Sequence, residues 1–336
     1  MPNTLQRWEL NRYGAHNLSL ETDSVPRPGP GEVLVRVEAV SLNYRDKLMI
    51  DNGMGMPLAM PFTPSSDMCG TVIATGAGVT RWRADDRIVS TFWAGWTDGT
   101  CPADAFALGG TGPGMLASHV LLNEHWAVAA PRSLTAAQAS TLPCAGLTAW
   151  FALVETGALR AGQTVLVHGT GGVALFGLQI ARAHGAQVIV VSGSDHKLEQ
   201  ARALGASHGI NRQGTADWVS AAREWTGGRG VDHVLEIVGG ANLGRSLQTL
   251  GQGGRASVIG ILEGDQISSS VFPVIMGRPT IQGISVGHRR ALEELVRAVD
   301  ATGLQPVIAA EYDYTELPRA LEHLARGPFG KVVLKF

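Results

Sequence analysis

Residues 164–193 read TVLVHGTGGVALFGLQIARAHGAQVIVVSG, and the glycines at the centre of this stretch decide what surrounds them. TVLVH (164–168) is short, apolar and bounded by glycine, as a strand buried on both faces would be. Directly after it, Gly169, Gly171 and Ala174 form the pattern G-x-G-x-x-A, and VALFGLQIARAHGA (173–186) carries on with helical spacing. The first glycine of such a turn permits a tight bend, and the second lets backbone N–H groups approach a pyrophosphate. A small third residue lets helix and strand pack closely. Because the helix N-terminus adds partial positive charge, Gly169, Gly171, Gly172 and Val173 are read as the cradle of a dinucleotide.

The next strand, QVIVVSG (187–193), ends about 20 residues past the first glycines, where an NAD site carries Asp or Glu to accept from the ribose 2′-hydroxyl. Ser192 stands there instead. A carboxylate would repel a 2′-phosphate, whereas the Ser192 and Ser194 hydroxyls, the Gly193 N–H and the Lys197 ammonium would bind one. Arg212, in GINRQG, can bring a second positive charge to the same end, with Asp195 opposing it. NADP(H) is therefore favoured over NAD(H).

Downstream, HKLEQARALGA (196–206), VDHVLEIVG (231–239) and RASVIG (255–260) continue the alternation of helix and apolar strand. Buried strands alternating with helices imply parallel strands joined by crossovers, in a doubly wound α/β sheet covered on both faces. Upstream, EVLVRVEAVSL (32–42) and GTVIATGAGV (70–79) alternate apolar and polar residues between Pro and Gly, which predicts a β-rich domain. The aperiodic glycine cluster at 95–114 reads as a long surface loop. RRALEELVRAVDATG (289–303) has helical spacing, and GKVVLKF (330–336) reads as a strand without a partner in the doubly wound sheet, expected to return to the first domain.

Composition sets the remaining bounds. With 45% apolar and 17% charged residues the chain is an ordinary globular protein, and 27 Lys plus Arg against 29 Asp plus Glu leave no footprint for nucleic acid or a membrane surface. The N-terminal residues lack the apolar core of a signal peptide, and no apolar run reaches the ~18 residues of a membrane span. Cysteines stand only at 69, 101 and 144, a spacing that favours free thiols and a reducing compartment, so a cytoplasmic location is expected.

PGPGEVLVRVEAVSLNYRD (28–46), GTVIATGAGVTRWRADDRIV (70–89), TLPCAGLTAW (141–150), HGTGGVALFGLQIARAHGAQVIV (168–190) and FGKVVLKF (329–336) follow one another in an order with a known counterpart. Along nearly its whole length the chain resembles zinc-independent medium-chain dehydrogenases and reductases, quinone oxidoreductases among them. The resemblance implies a GroES-like catalytic domain (1–127 and 286–336) interrupted by a Rossmann cofactor domain (128–285), which would give the last strand its partner. It implies that Asn43 lies nearest the nicotinamide and Thr148 beside its ring, with Gly260 and Lys331 as further cofactor contacts. It also implies a homodimer, joined near 270–285 (VFPVIMGRPTIQGISV).

Zinc-dependent members carry a Cys, a His-Glu pair and a second Cys, where this chain has Asn43, Ser66-Asp67 and Cys144. Residues 90–118 offer only Cys101, whereas the structural zinc lobe of the family uses four cysteines. Zinc needs about three protein ligands and an open position, so no metal is expected. Asn43, Tyr44 and Arg45 are the candidate donors to a substrate oxygen. The Asn43 NH₂ can donate to that oxygen or hold the cofactor's ribose, and Tyr44 can supply a proton or simply pack. Asp46 is read as fixing the local backbone, and Phe92, Trp93 and Trp96 as pocket wall or core. His119 and His288 lack partners at metal-ligand spacing and are read as structural or surface residues. Cys144, without metal partners or an activating base, is read as a small buried residue near Thr148.

A carbonyl that gains negative charge needs donors aimed at it, and without a metal a simple aldehyde loses its strongest polariser. Conjugated acceptors spread that charge. The expected function is NADPH-dependent hydride transfer to a quinone or α,β-unsaturated carbonyl. Two alternatives stand beside it: an alcohol dehydrogenase-like enzyme on activated alcohols or aldehydes, and a low-turnover NADPH-binding sensor or structural protein.

Overall fold

The computed structural model describes residues 4–336, which divide into two compact units, one running up to residue 147 and resuming at 287–336, the other spanning 148–286. In the second unit six strands, all parallel, stand in the order His208–Asn211, Gln187–Ser192, Thr164–His168, Val231–Glu236, Leu250–Val258, Thr280–Gly283. Leu166, Ile189 and Val234 in the three central strands are wholly buried, as their apolar runs predict. Chain order runs one way from Thr164–His168 and the other way from Val231–Glu236. Loops leaving the C-terminal ends of those two neighbours diverge, and in open parallel sheets that divergence makes the ligand crevice. The outer strand Thr280–Gly283 is exposed along its whole length, so the expected cover on both faces stops short of this edge.

The first unit is built on a seven-stranded sheet in the order Ile308–Asp313, Lys331–Lys335, Glu32–Leu42, Asp67–Thr75, Arg87–Ser90, Ala127–Ala129, with His119–Asn123 also paired to Glu32–Leu42. The terminal strand finds its partner here: it runs antiparallel to Glu32–Leu42 with Val332 opposite Leu42 and Leu334 opposite Val40. On the other side Asp67 stands opposite Ser41. One end of Glu32–Leu42 is therefore flanked by the beginnings of two other strands, and residues distant in sequence (Asn43, Asp67 and Lys331) arrive together. This register positions the site.

Two sequence expectations need correction. The stretch 95–114 is not simply a surface loop, because Leu108 is fully buried and, with Met115 and Leu116 just beyond, belongs to the core beneath the sheet. Glycine abundance masked the few apolar anchors. The first unit also extends past 127, to residue 147, because the helix Ala136–Ala139 packs on strands Glu32–Leu42 and Asp67–Thr75, with Ala137 clustered against Ala39 and Val333. Among the described residues no helix is long and apolar enough to cross a membrane.

Candidate active site

In the 148–286 unit the glycine loop is built as its spacing requires. Gly169 has φ 74°, a left-handed conformation that side chains resist. A Cβ on Gly171 would meet nothing within 4 Å, so the missing side chain keeps space open rather than relieving a clash. That space lies at the start of the helix Gly172–Ala183, where the first N–H groups have no partner within the helix and the helix dipole favours an anion. Ala174, the third motif residue, is fully buried, but the helix comes closest to the neighbouring strand at Gly177, whose Cβ would fall 2.4 Å from Leu235 Cδ1. Gly260 has a packing reason too: a Cβ there would lie 2.0 Å from the Ile237 carbonyl oxygen.

Around the end of Gln187–Ser192, the Arg212 N–H donates to the Ser192 carbonyl at 2.9 Å. A Cβ on Gly193 would have Gln213 Nε2 at 3.5 Å and Arg212 Nε at 3.7 Å, so both side chains stand over this turn. The Ser194 hydroxyl accepts the Lys197 N–H at 3.4 Å and caps the helix Asp195–Ala203. Ser192 is buried, Ser194 and Lys197 are half-buried, and Asp195 and Arg212 are exposed. Gln213 escaped the sequence reading, although its place beside Arg212 in the loop after the third strand was the available signal.

Sequence reasoning also missed a buried network at the ends of the two strands flanking the crevice. Glu236 is wholly buried and accepts from the N–H groups of Val238 at 2.8 Å and Gly239 at 3.1 Å, from Asn242 Nδ2 at 2.9 Å, and from the Ser246 hydroxyl. His168 Nε2 lies 2.9 Å from Ser246 Oγ, so the residue before Gly169 is tied to the turn after the fourth strand. Burial holds the His168 pKa below its usual value despite the Glu236 carboxylate nearby. A neutral imidazole with the proton on Nε2 donates to Ser246, whose own proton goes to Glu236. The network braces both loops of the crevice.

In the other unit, the end of one strand and the beginnings of two others supply the second cluster. Lys331 is 5% exposed, and its Nζ donates to the Leu42 carbonyl at 2.6 Å and to Asn43 Oδ1. Asn43 opens the helix Tyr44–Asn52, and the Asp46 carboxylate reaches back to accept the Asn43 N–H at 2.8 Å, which is the local role expected of Asp46. Ser66 Oγ donates to Asp67 Oδ1 at 2.6 Å, and the Cys144 N–H donates to Asp67 Oδ2 at 3.1 Å. Burial raises the Asp67 pKa, against the pull of the Lys331 ammonium and the Ser66 hydroxyl. Asn43 Nδ2 is buried and has no hydrogen-bond partner. It nevertheless faces the Asp67 carboxylate closely enough to act as a weak donor that favours the anion, short of an ordinary hydrogen-bond geometry.

Burial raises Asp46 from 3.8 to about 6, with the Arg45 guanidinium offsetting part of the cost. A folded-state pKa above the unfolded one means that the native protein holds the proton more tightly. Asp46 therefore lowers stability as pH rises from about 4 through about 6. Asp46→Asn keeps an acceptor for the Asn43 N–H, so it is expected to flatten that part of the profile. Urea midpoints of both proteins between about pH 4 and 7 check this; parallel profiles would contradict it.

The remaining candidates divide. Arg45 Nη1 donates to the Leu108 carbonyl at 3.0 Å and its guanidinium lies 5.0 Å from the Phe92 ring centroid, so it is held by the protein. Tyr44 is 45% exposed, and Thr148 is buried in the other unit. Phe92 packs edge-on against Trp93, and Trp96 against His288. His288 Nδ1 accepts the Ala291 N–H and caps the helix Arg289–Thr302, while His119 Nδ1 lies 3.1 Å from Ser118 Oγ. Both histidines are structural. Cys144, expected to be a small buried residue, is partly buried as a whole, and its N–H is held by the wholly buried Asp67. Its thiol is held far above the usual range by desolvation and then by the Asp67 carboxylate.

These side chains do not suit zinc. Asn43 Oδ1 is taken by an ammonium and the Ser66 hydroxyl is turned to Asp67, and neither an amide nor a hydroxyl is among the thiolate, imidazole and carboxylate ligands that zinc prefers. The Lys331 charge among them would repel a divalent cation. Among the described residues no three His, Cys, Asp or Glu side chains group as a metal site.

Residues 29–132 match the model of the alcohol dehydrogenase GroES-like domain, and residues 172–301 that of the zinc-binding dehydrogenase domain. A zinc-type alcohol dehydrogenase-like protein of Schizosaccharomyces pombe is 37% identical over 333 residues, 96% of each chain. The human quinone oxidoreductase is 26% identical over 329 residues, 96% of this chain and 94% of that one. A solved structure described as an alcohol dehydrogenase from Sinorhizobium meliloti 1021 superposes with a TM-score of 0.97 at 57% identity, over 100% of both chains. With a GroES-like sheet, a Rossmann sheet and relatives matching both from end to end, the chain belongs to the medium-chain dehydrogenase/reductase family and is an oxidoreductase.

Proposed function

We propose that this oxidoreductase uses NADPH to reduce an activated acceptor, a quinone or an α,β-unsaturated carbonyl, without a metal. The observation that carries the reading is Asn43 Nδ2, a buried donor without a hydrogen bond of ordinary geometry, beside an ammonium where a zinc enzyme would need ligands. Bound NADPH supplies the hydride, and the acceptor's electron pair moves onto its oxygen. Asn43 donates to that oxygen as charge develops, and water delivers the proton that completes reduction. Conjugation lowers the charge that a single neutral amide must stabilise, which favours quinones and enones over simple aldehydes. Relatives named both quinone oxidoreductase and alcohol dehydrogenase make the aldehyde the necessary comparison. Steady-state assays with the three acceptors test this: turnover of the conjugated acceptors is expected, and turnover of the aldehyde alone would overturn it.

The 2′-phosphate is assigned to Ser192, Gly193, Ser194, Lys197 and Arg212, with Gln213 added. The supports are the exposed Arg212 over Gly193 and the Ser194-capped helix behind it. Lys197→Ala and Arg212→Ala are each expected to weaken NADPH roughly 10-fold, about the worth of one charge-assisted hydrogen bond, and NADH scarcely at all. Fluorescence titration of both nucleotides checks this, and equal losses would remove the assignment.

The partner on the 148–286 unit is a second copy of this chain. Thr280–Gly283 offers an open strand edge, and the neighbouring helix Val271–Gly277 buries no residue. Phe272, Ile275 and Ile281 are 69%, 64% and 44% exposed. An isologous pairing of this edge with itself would cover strand and helix together. Light scattering is expected to give a dimer for the wild type and a monomer for Phe272→Asp/Ile275→Asp; a wild-type monomer would contradict the pairing. Free thiols at Cys69, Cys101 and Cys144 accord with a reducing, cytoplasmic setting.

A further inference from the structure

Lys331 bonds to the one side chain in its cluster whose two ends have nearly the same shape. The carbonyl and NH₂ halves of an amide differ little in size, so packing alone would leave Asn43 free to present either. An ammonium can only donate. The end of Asn43 facing Lys331 Nζ must therefore be Oδ1, and Nδ2 is turned away from the charge. The rest of the residue is equally restrained, since Asp46 accepts the Asn43 N–H and Lys331 also binds the preceding carbonyl, that of Leu42. The NH₂ makes no hydrogen bond of ordinary geometry; it leans on the Asp67 carboxylate weakly, and with two protons it keeps one to give.

We propose that Lys331 is a positioning residue that locks the Asn43 amide with its NH₂ toward the substrate oxygen, an inference that rests on the donor role given to Asn43 above. The ammonium acts through the amide in a second way. A charged donor on Oδ1 draws electron density from the amide nitrogen and makes its protons better donors, so positive charge reaches the substrate without contact. A lysine that only balanced the buried carboxylates of Asp46 and Asp67 would do neither. In that case Lys331 and Asn43 would contribute to catalysis independently.

The test uses the full-length enzyme labelled with ¹⁵N-asparagine, the Asn43 amide pair being identified by its loss in Asn43→Ala. Lys331→Met is expected to shift that pair and speed rotation of its NH₂; an unmoved pair would overturn the lock. In kinetics, Lys331→Met is expected to lower kcat/KM roughly 10- to 100-fold with NADPH affinity kept, and to cost nothing further in the Asn43→Ala background. Losses that simply multiply would overturn it as well. Asn43→Asp does not depend on the stability of Lys331→Met, because it keeps an acceptor for Lys331 while replacing the NH₂ with a carboxylate oxygen, whose charge beside Asp67 is controlled for by comparison with Asn43→Ala. It is expected to be as impaired as Asn43→Ala, and near-wild-type activity would refute the proposal. If the wild type reduces no acceptor, the functional reading fails by itself, and the amide resonance alone decides the lock.

Discussion

Asn43→Ala is expected to lower kcat/KM for a quinone or enone by roughly 100-fold or more, with NADPH affinity changed by less than about threefold. A preorganised donor aimed at developing charge in a site closed to water is worth on the order of 2.7–4 kcal/mol, and Asn43, like the Ser41 and Ser65 hydroxyls near it, is a buried donor without a hydrogen bond of ordinary geometry. The fold should survive, because Lys331 keeps the Leu42 carbonyl and gains freedom to approach Asp67. Stopped-flow reduction and nucleotide titration on the same preparation separate the two quantities. A loss confined to NADPH affinity would move Asn43 from the substrate to the cofactor's ribose, the other role its sequence position allowed.

Gly171→Ala is expected to weaken both NADPH and NADH by 100-fold or more while leaving thermal stability within about 1 kcal/mol. Residue 171 has φ −82°, which alanine adopts freely, and its Cβ would meet no protein atom within 4 Å. A methyl group there costs the empty protein little, yet it fills the space through which a pyrophosphate would reach the helix N-terminus. Gly177→Ala is the contrasting case, since its Cβ would fall 2.4 Å from Leu235 Cδ1 and strain the packing of helix on sheet. Calorimetry and titration of the two variants distinguish a ligand glycine from a packing glycine. Stability lost equally in both would remove that distinction.

What could be read directly from the chain was whatever local periodicity determines. The turn from TVLVH into its helix, the parallel strands that follow, and the β-rich first third all carry their signal in adjacent residues, and they stand where the pattern put them. The apolar anchors Leu108, Met115 and Leu116 were hidden among glycines, where no period marks them. The second cluster was legible only in part. Asn43 could be singled out by its motif, but its holder is 288 residues away and reaches it through the pairing of Val332 with Leu42, a register no short-range pattern contains. The Glu236 network was invisible for a related reason: a glutamate ending an apolar strand looks like a solvated terminus until the turn and helix after it close over the carboxylate.

The central claim is that a held amide, and not a metal, polarises the acceptor. NADPH oxidation by protein stripped with a strong chelator, measured with a quinone before and after zinc is restored, tests it most directly. Full activity in the stripped enzyme, unchanged by zinc, is the expected result; activity that disappears with the chelator and returns only with zinc would contradict the account.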